Sequence, residues 1–142
     1  MADLFSVSAS GMEAQRLRMN IIASNLANVE TTRTATGGAY RRKDIVFETH
    51  GQVDFGTHLK AASAAYNNGV KVSGIIEDAR PLKYKYEPGH PDADKTGYVA
   101  YPNVNAAEEM VNMIAATRSY EANVTAFKAT REMALKALEL GQ

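Results

Sequence analysis

Three histidines, His50, His58 and His90, are the first residues to weigh for chemistry. Their spacing matches no usual zinc pattern, and each sits among polar, loop-forming neighbours. Asp92-Ala93-Asp94-Lys95-Thr96-Gly97 opens like a calcium-binding loop, with acidic residues at the first and third places and glycine at the sixth. The twelfth place is Asn103, where a bidentate glutamate is needed, so the stretch reads as an aspartate-rich turn. Glu108 and Glu109 are adjacent and would point about 100° apart on a helix. They read as a charged first turn favoured by the helix dipole, not as an acid–base pair. There is no Gly-x-Ser-x-Gly elbow, Walker loop, Gly-x-Gly-x-x-Gly or His-Glu-x-x-His. Cysteine is absent, which removes disulfides, thiolate nucleophiles and thiolate metal sites. The sequence therefore predicts no catalytic residue, no cofactor and no metal: a protein that is not an enzyme.

Composition points the same way. The 142 residues are 45% hydrophobic, enough for a core. Sixteen basic and sixteen acidic residues cancel, so no global field steers the chain to nucleic acid or anionic lipid. Near-zero charge also removes one barrier to self-association. No basic stretch followed by an unbroken apolar run marks a secretory signal, and no window is long and apolar enough for a membrane span.

With no site to position, the elements themselves carry the message. From about Asn103 to Gln142 the spacing predicts one long amphipathic helix. Met110, Met113, Thr117, Tyr120, Val124, Phe127, Ala134 and Leu138 recur at three- and four-residue steps, which places them on one face. Arg131 breaks the series, with a long apolar stem that can lie along such a face. Asn105 followed by Glu108 is a capping-box start, and Gly141 is a suitable stop. A helix of roughly 35 residues is on the order of 50 Å long, more than a small domain usually covers. Asp3 to about Asn28 reads as a second such helix. Phe5, Met12, Met19 and Leu26 repeat every seven residues, Ile22 continues the intermediate position, and Ser8 and Gln15 weaken it. Ser10 with Glu13 is an alternative capping box, and Gly11 marks the close approach of a neighbouring backbone. Both stripes predict a coiled-coil-like seam.

Between the helices the period changes. Val29 to Tyr40 is rich in threonine and glycine and reads as an extended, mobile connector. Arg41-Arg42-Lys43 reads as a solvated strand edge. Strands are predicted over Lys43 to Thr49, Gly69 to Glu77, Leu82 to Tyr86 and Gly97 to Tyr101, with turn chemistry at Pro88 to Asp92 and Pro102 as the final stop. Gly51 to Asn68 reads as a loop or insert. The expected fold class is α+β. Long N- and C-terminal helices pair as a coiled-coil-like unit, with a small, mostly antiparallel β module between them. The expected division is 1–32 for the first helix and connector, 33–102 for the β module with a flexible insert near 51–68, and 103–142 for the second helix.

The residues also carry a likeness. Ala23-Ser24-Asn25-Leu26-Ala27-Asn28 resembles the motif near the N-terminus of bacterial flagellar rod and hook proteins. Thr31 to Thr34 with Gly37-Gly38, Tyr86-Glu87-Pro88-Gly89-His90-Pro91 and Arg118-Ser119-Tyr120-Glu121-Ala122-Asn123 narrow the resemblance to a proximal-rod member of that axial family. It implies a structural subunit whose terminal helices pair and pack on neighbours in a helical tube. That tube is the basal-body rod, which spans the periplasm and transmits torque. It implies as partners other copies and other rod proteins (FlgB, FlgF, FlgG and FliE), with export through the flagellar type III apparatus without a cleavable signal peptide, and no nucleic-acid or small-molecule substrate. The subunit-interface set expected from the stripes and the motif is Phe5, Met12, Met19, Ile22, Asn25, Leu26, Asn28, Met110, Met113, Thr117, Tyr120, Val124, Phe127 and Leu138. The alternative is a soluble export chaperone or adaptor using the same amphipathic helices, a role that needs no β module.

Overall fold

The computed structural model describes residues 2–50 and 69–139. In chain order the elements are α1 (Ala2–Ala27), β1 (Lys43–His50), β2 (Gly69–Glu77), β3 (Lys83–Tyr86), β4 (Tyr98–Tyr101) and α2 (Ala106–Glu139). Two long helices flanking a small β module are the predicted α+β arrangement, with strand bounds within about two residues of those expected. β1 pairs with β2, and β3 with β4, as two separate two-stranded sheets. The expected insert near 51–68 with His58, the side chain of His50, and the helix stop at Gly141 lie outside the described residues.

The chain groups into two compact units, each drawing on both helices. The first holds α1 through Leu17, the strand ends Val46 to His50 and Gly69 to Gly74, and α2 from Ala115. Here the ring of Phe5 meets that of Phe127 edge to face, centroids 5.1 Å apart. A side chain added at Gly11 would meet Asn123 at 2.9 Å. Phe5 and Gly11 ascend α1 while Phe127 and Asn123 descend α2, so the helices are antiparallel in this unit. The residues they bury are small: Ser8, Gly11 and Ala14 on α1, Ala116 and Thr130 on α2. Small residues let backbones approach closely, which offsets the helix-propensity cost of a glycine, about 1 kcal/mol. What approaches Gly11 is a side chain, that of Asn123, where the sequence suggested a backbone. Ser10 does not start the helix either. It lies inside α1, donates its hydroxyl to the Val7 carbonyl at 2.9 Å and accepts the Val70 amide at 3.1 Å.

The second unit holds Arg18–Ile45 and Ile75–Ile114. β3 and β4 run antiparallel, from Lys83 opposite Tyr101 to Tyr86 opposite Tyr98. The stretch predicted as a mobile connector is a hydrogen-bonded turn. Thr34 N–H donates to the Gly38 carbonyl at 2.9 Å, Gly37 N–H to Thr34 at 3.0 Å, and Tyr40 N–H back to Thr31 at 3.0 Å. Gly37 and Gly38 supply the positive φ that this turn needs. Thr32 then donates to Asp92 at 2.9 Å, pinning the turn to the second loop. The aspartate-rich stretch uses its oxygens internally: Asp94 Oδ1 accepts the Thr96 and Tyr98 amides and the Thr96 hydroxyl. Asn105 caps α2 as expected, accepting the Ala107 amide at 3.1 Å.

Gly97 closes that loop at φ +82°, and a Cβ there would sit 2.7 Å from the Tyr86 ring. Gly97→Ala is expected to lower stability by about 1–2 kcal/mol through the left-handed backbone. Urea denaturation of the purified chain checks this, and an unchanged midpoint would contradict it.

Candidate assembly surface

The inward face of α2 is a heptad row: Glu109, Met113, Ala116, Tyr120, Asn123, Phe127, Thr130 and Ala134, all buried or half-buried. The row expected from apolar residues shares Met113, Tyr120, Phe127 and Ala134 with it. Three of the alternate members differ by one residue. Glu109, Ala116 and Thr130 are buried while Met110, Thr117 and Arg131 are exposed, Asn123 and Val124 are both half-buried, and Arg131 no longer interrupts anything. α1 shows the same offset. Gly11 and Asn25 are buried beside the half-buried Met12 and Leu26, while Ser8 and Ile22 hold the intermediate row.

The expected interface residues therefore divide. Ile22 and Asn25 lie inside the chain. Phe5, Met12, Met19, Leu26, Asn28, Met113, Tyr120, Val124 and Phe127 are half-buried, and Met110, Thr117 and Leu138 are exposed. Of these, the structure brings together Phe5 and Phe127. Sequence reasoning passed over large apolar side chains that α2 turns outward: Val111 and Ile114 beside Met110 in the second unit, and Met133 and Leu135 before Leu138 in the first. Met110, Val111 and Ile114 are each more than half exposed at 54%, 66% and 55%.

What turns Met110 and Val111 outward is a polar knot around Glu109, wholly inside the second unit. Glu109 lies in the acidic first turn expected of it, and it is fully buried there. Its Oε1 accepts Arg42 Nε at 2.8 Å and its Oε2 accepts Asn25 Nδ2 at 2.9 Å. Arg42 is buried too, not a solvated strand edge. Its Nη1 reaches Asp44 at 2.9 Å and Asp78 at 3.6 Å, and its backbone N–H donates to Asn103 at 2.8 Å. Asn103 in turn donates to the carbonyls of Asp78 and Arg80. Asn25 uses all four of its hydrogen-bonding valences. Besides Glu109 it donates to the Lys43 carbonyl at 2.8 Å, and its oxygen accepts the Lys43 amide and the Tyr40 hydroxyl. The motif asparagine is thus committed to the subunit's own interior. Asn28 ends α1, donating to the Ser24 carbonyl at 2.8 Å and accepting the Thr31 hydroxyl. Ion pairs across 67 residues of sequence leave no local signature, which is why Glu109 and Arg42 were missed.

The electrostatics follow from this geometry. Burial works against the Arg42 charge, but hydrogen bonds to Asp44 and Glu109 outweigh it and hold the guanidinium well above its usual pKa. Burial likewise opposes the Asp44 carboxylate, yet Arg42 and the Ile45 amide hold it below its ordinary value. The Arg80 side chain and amide lower Asp78 in the same way. A carboxylate whose folded pKa lies below its unfolded one contributes stability above the unfolded value, and that contribution is lost as pH falls. The urea midpoint is therefore expected to drop on acidification from about pH 5 to about pH 3, and to drop less in Asp44→Asn. Equal drops in both chains would contradict this role for Asp44.

Among the described residues no helix is long and apolar enough to cross a membrane. Residues 5–33 match the family model for flagella basal body rod proteins, and residues 95–140 match the C-terminal model of the flagellar basal body rod FlgEFG proteins. The chain is 46% identical to the flagellar basal-body rod protein FlgC of Bacillus subtilis, with 96% of this chain and 95% of the relative covered. It is 44% identical to FlgC of Borreliella burgdorferi over the same shares. It is 43% identical to FlgC of Escherichia coli O157:H7, with 99% of this chain and 97% of the relative covered. The heptad-paired terminal helices, the β module between them and this end-to-end similarity agree: the chain belongs to the FlgC family of flagellar basal-body rod proteins.

Proposed function

We propose that this chain is a non-catalytic structural subunit of the flagellar basal-body rod. It self-assembles with other rod proteins, FlgB, FlgF, FlgG and FliE among them, into a helical drive shaft that crosses the periplasm and transmits torque. Passage through the flagellar type III export apparatus is part of the same proposal. The observation that supports an assembly role most directly is the outward row Met110, Val111 and Ile114, large apolar side chains held facing solvent by the knot behind them. Burying the exposed part of each against a neighbour contributes about 1–2 kcal/mol, and a contact that does not close on itself repeats into a filament. The chaperone or adaptor alternative gains no support, because the relatives are rod proteins along their whole length.

Ile114→Glu tests the reading. The side chain is more than half exposed, so the isolated variant is expected to keep its helical content and denaturation midpoint while cells carrying it fail to swim. Normal swimming at normal protein level would overturn the role of this row.

A further inference from the structure

Two polar contacts in the helix pair stand out by their placement. In the first unit Asn123 faces Gly11 so closely that a Cβ would sit 2.9 Å from its Oδ1. The side chain is held there, because its Nδ2 donates to the Ser119 carbonyl at 2.9 Å. In the second unit Glu109 is held by Asn25 and Arg42. Gly11 and Asn25 are fourteen residues apart on α1, and Asn123 and Glu109 fourteen apart on α2, two heptads in each case. All four occupy the row that differs from the more apolar one beside it.

We infer that Asn123 against Gly11 and Glu109 against Asn25 are two register keys, positioning residues that fix which face of α2 is turned inward. The competing face is a real one. Turning α2 by about half a residue step would bury Met110 in place of Glu109 and cover the half-buried Val124 more fully at the expense of the half-buried Asn123, and burial of apolar surface alone favours that exchange. The keys oppose it. Among the described residues Glu109 is the sole carboxylate that Arg42 Nε and Asn25 reach together, and a buried charge pulled from its partners is costly. A side chain opposite Asn123 would push its amide away from the Ser119 carbonyl that now holds it. A slide of one heptad is blocked as well, since it sets Asn123 against Leu4 or Arg18 in place of Gly11. Polar residues at single seam positions specify register in paired helices at a cost in stability. Here the gain is that Met110, with Val111 and Ile114 beside it, stays outward and available. The inference rests on the proposed assembly role only for that last benefit. The register itself is testable in the isolated chain.

The absence of native cysteine makes the test clean. Single probes Thr130→Cys, on the inner row, and Arg131→Cys, next to it and exposed, are labelled with a maleimide in the full-length monomer. In the parent background the Thr130 probe is expected to react at least about tenfold more slowly. In Asn123→Leu, too large for the space at Gly11, the rates are expected to move in opposite directions, the Thr130 probe faster and the Arg131 probe slower. Gly11→Ala places the obstacle on the other helix and must shift both rates in the same two senses, covering the case in which Asn123→Leu loses its fold. Opposed shifts in either variant support the keys. Rates that stay put, or that rise together in both variants, overturn them, whatever the swimming phenotype.

Discussion

Replacing Arg42 with methionine is expected to remove about 3–5 kcal/mol of folding stability, the usual consequence of breaking a buried ion pair from one side. Methionine fills much of the same space, so the loss comes from the charge left behind. Glu109 is fully buried, and after the change Asn25 alone would donate to it. Asp44 and Asp78 lose their shared cation at the same time, although Asp78 keeps Arg80. The double variant Arg42→Met with Glu109→Gln removes the charge and retains an acceptor for Asn25. It is expected to recover most of the loss, so a double-mutant cycle gives a large positive coupling. The measurement is urea denaturation of the four chains at neutral pH. A loss under about 1 kcal/mol in the single variant would place the pair among solvent-screened surface contacts and contradict the knot.

Phe127→Asp is expected to abolish swimming and to destabilise the first unit by several kcal/mol, the cost of forcing a carboxylate into an apolar contact. Phe127 meets Phe5 edge to face, and both belong to half-buried positions of the helix pair. Aromatic contacts of that geometry contribute about 0.5–1.5 kcal/mol beyond the area they bury. A carboxylate against the Phe5 ring must either take up a proton or part the helices to reach water, and at neutral pH the second is expected. Phe127→Leu keeps the apolar volume and is expected to leave swimming nearly intact. Soft-agar motility with the protein level checked by blotting reads the result. Swimming by Phe127→Asp at wild-type rate would refute a functional role for this part of the helix pair.

The contrast between what the residues foretold and what the chain does has a physical cause. Among the described residues, periodicity located the two long helices and the four strands because helix and strand periods are properties of consecutive residues. Half of the α2 row was legible for the same reason: Met113, Tyr120, Phe127 and Ala134 belong to either seam. In the other half, Val124 is half-buried beside Asn123, but apolar content favours Met110 where the folded chain buries Glu109 through partners far away in sequence. The interrupting Arg131 was the one local sign that the row was offset. Asn25 was singled out through its motif, yet its work is inward, closing four hydrogen bonds. No residue type at position 109 or 42 announces burial, since adjacent charges at a helix start and at a strand start are ordinarily solvated.

The most direct test of the structural role is mass spectrometry of detergent-purified flagellar basal bodies from the source bacterium. A rod subunit is expected to remain with the basal body after membrane proteins are stripped away, in stoichiometric amount with the other rod proteins. Its absence from the basal body, with the protein present in the cytosol, would contradict the rod assignment and make a soluble binding role the reading to pursue.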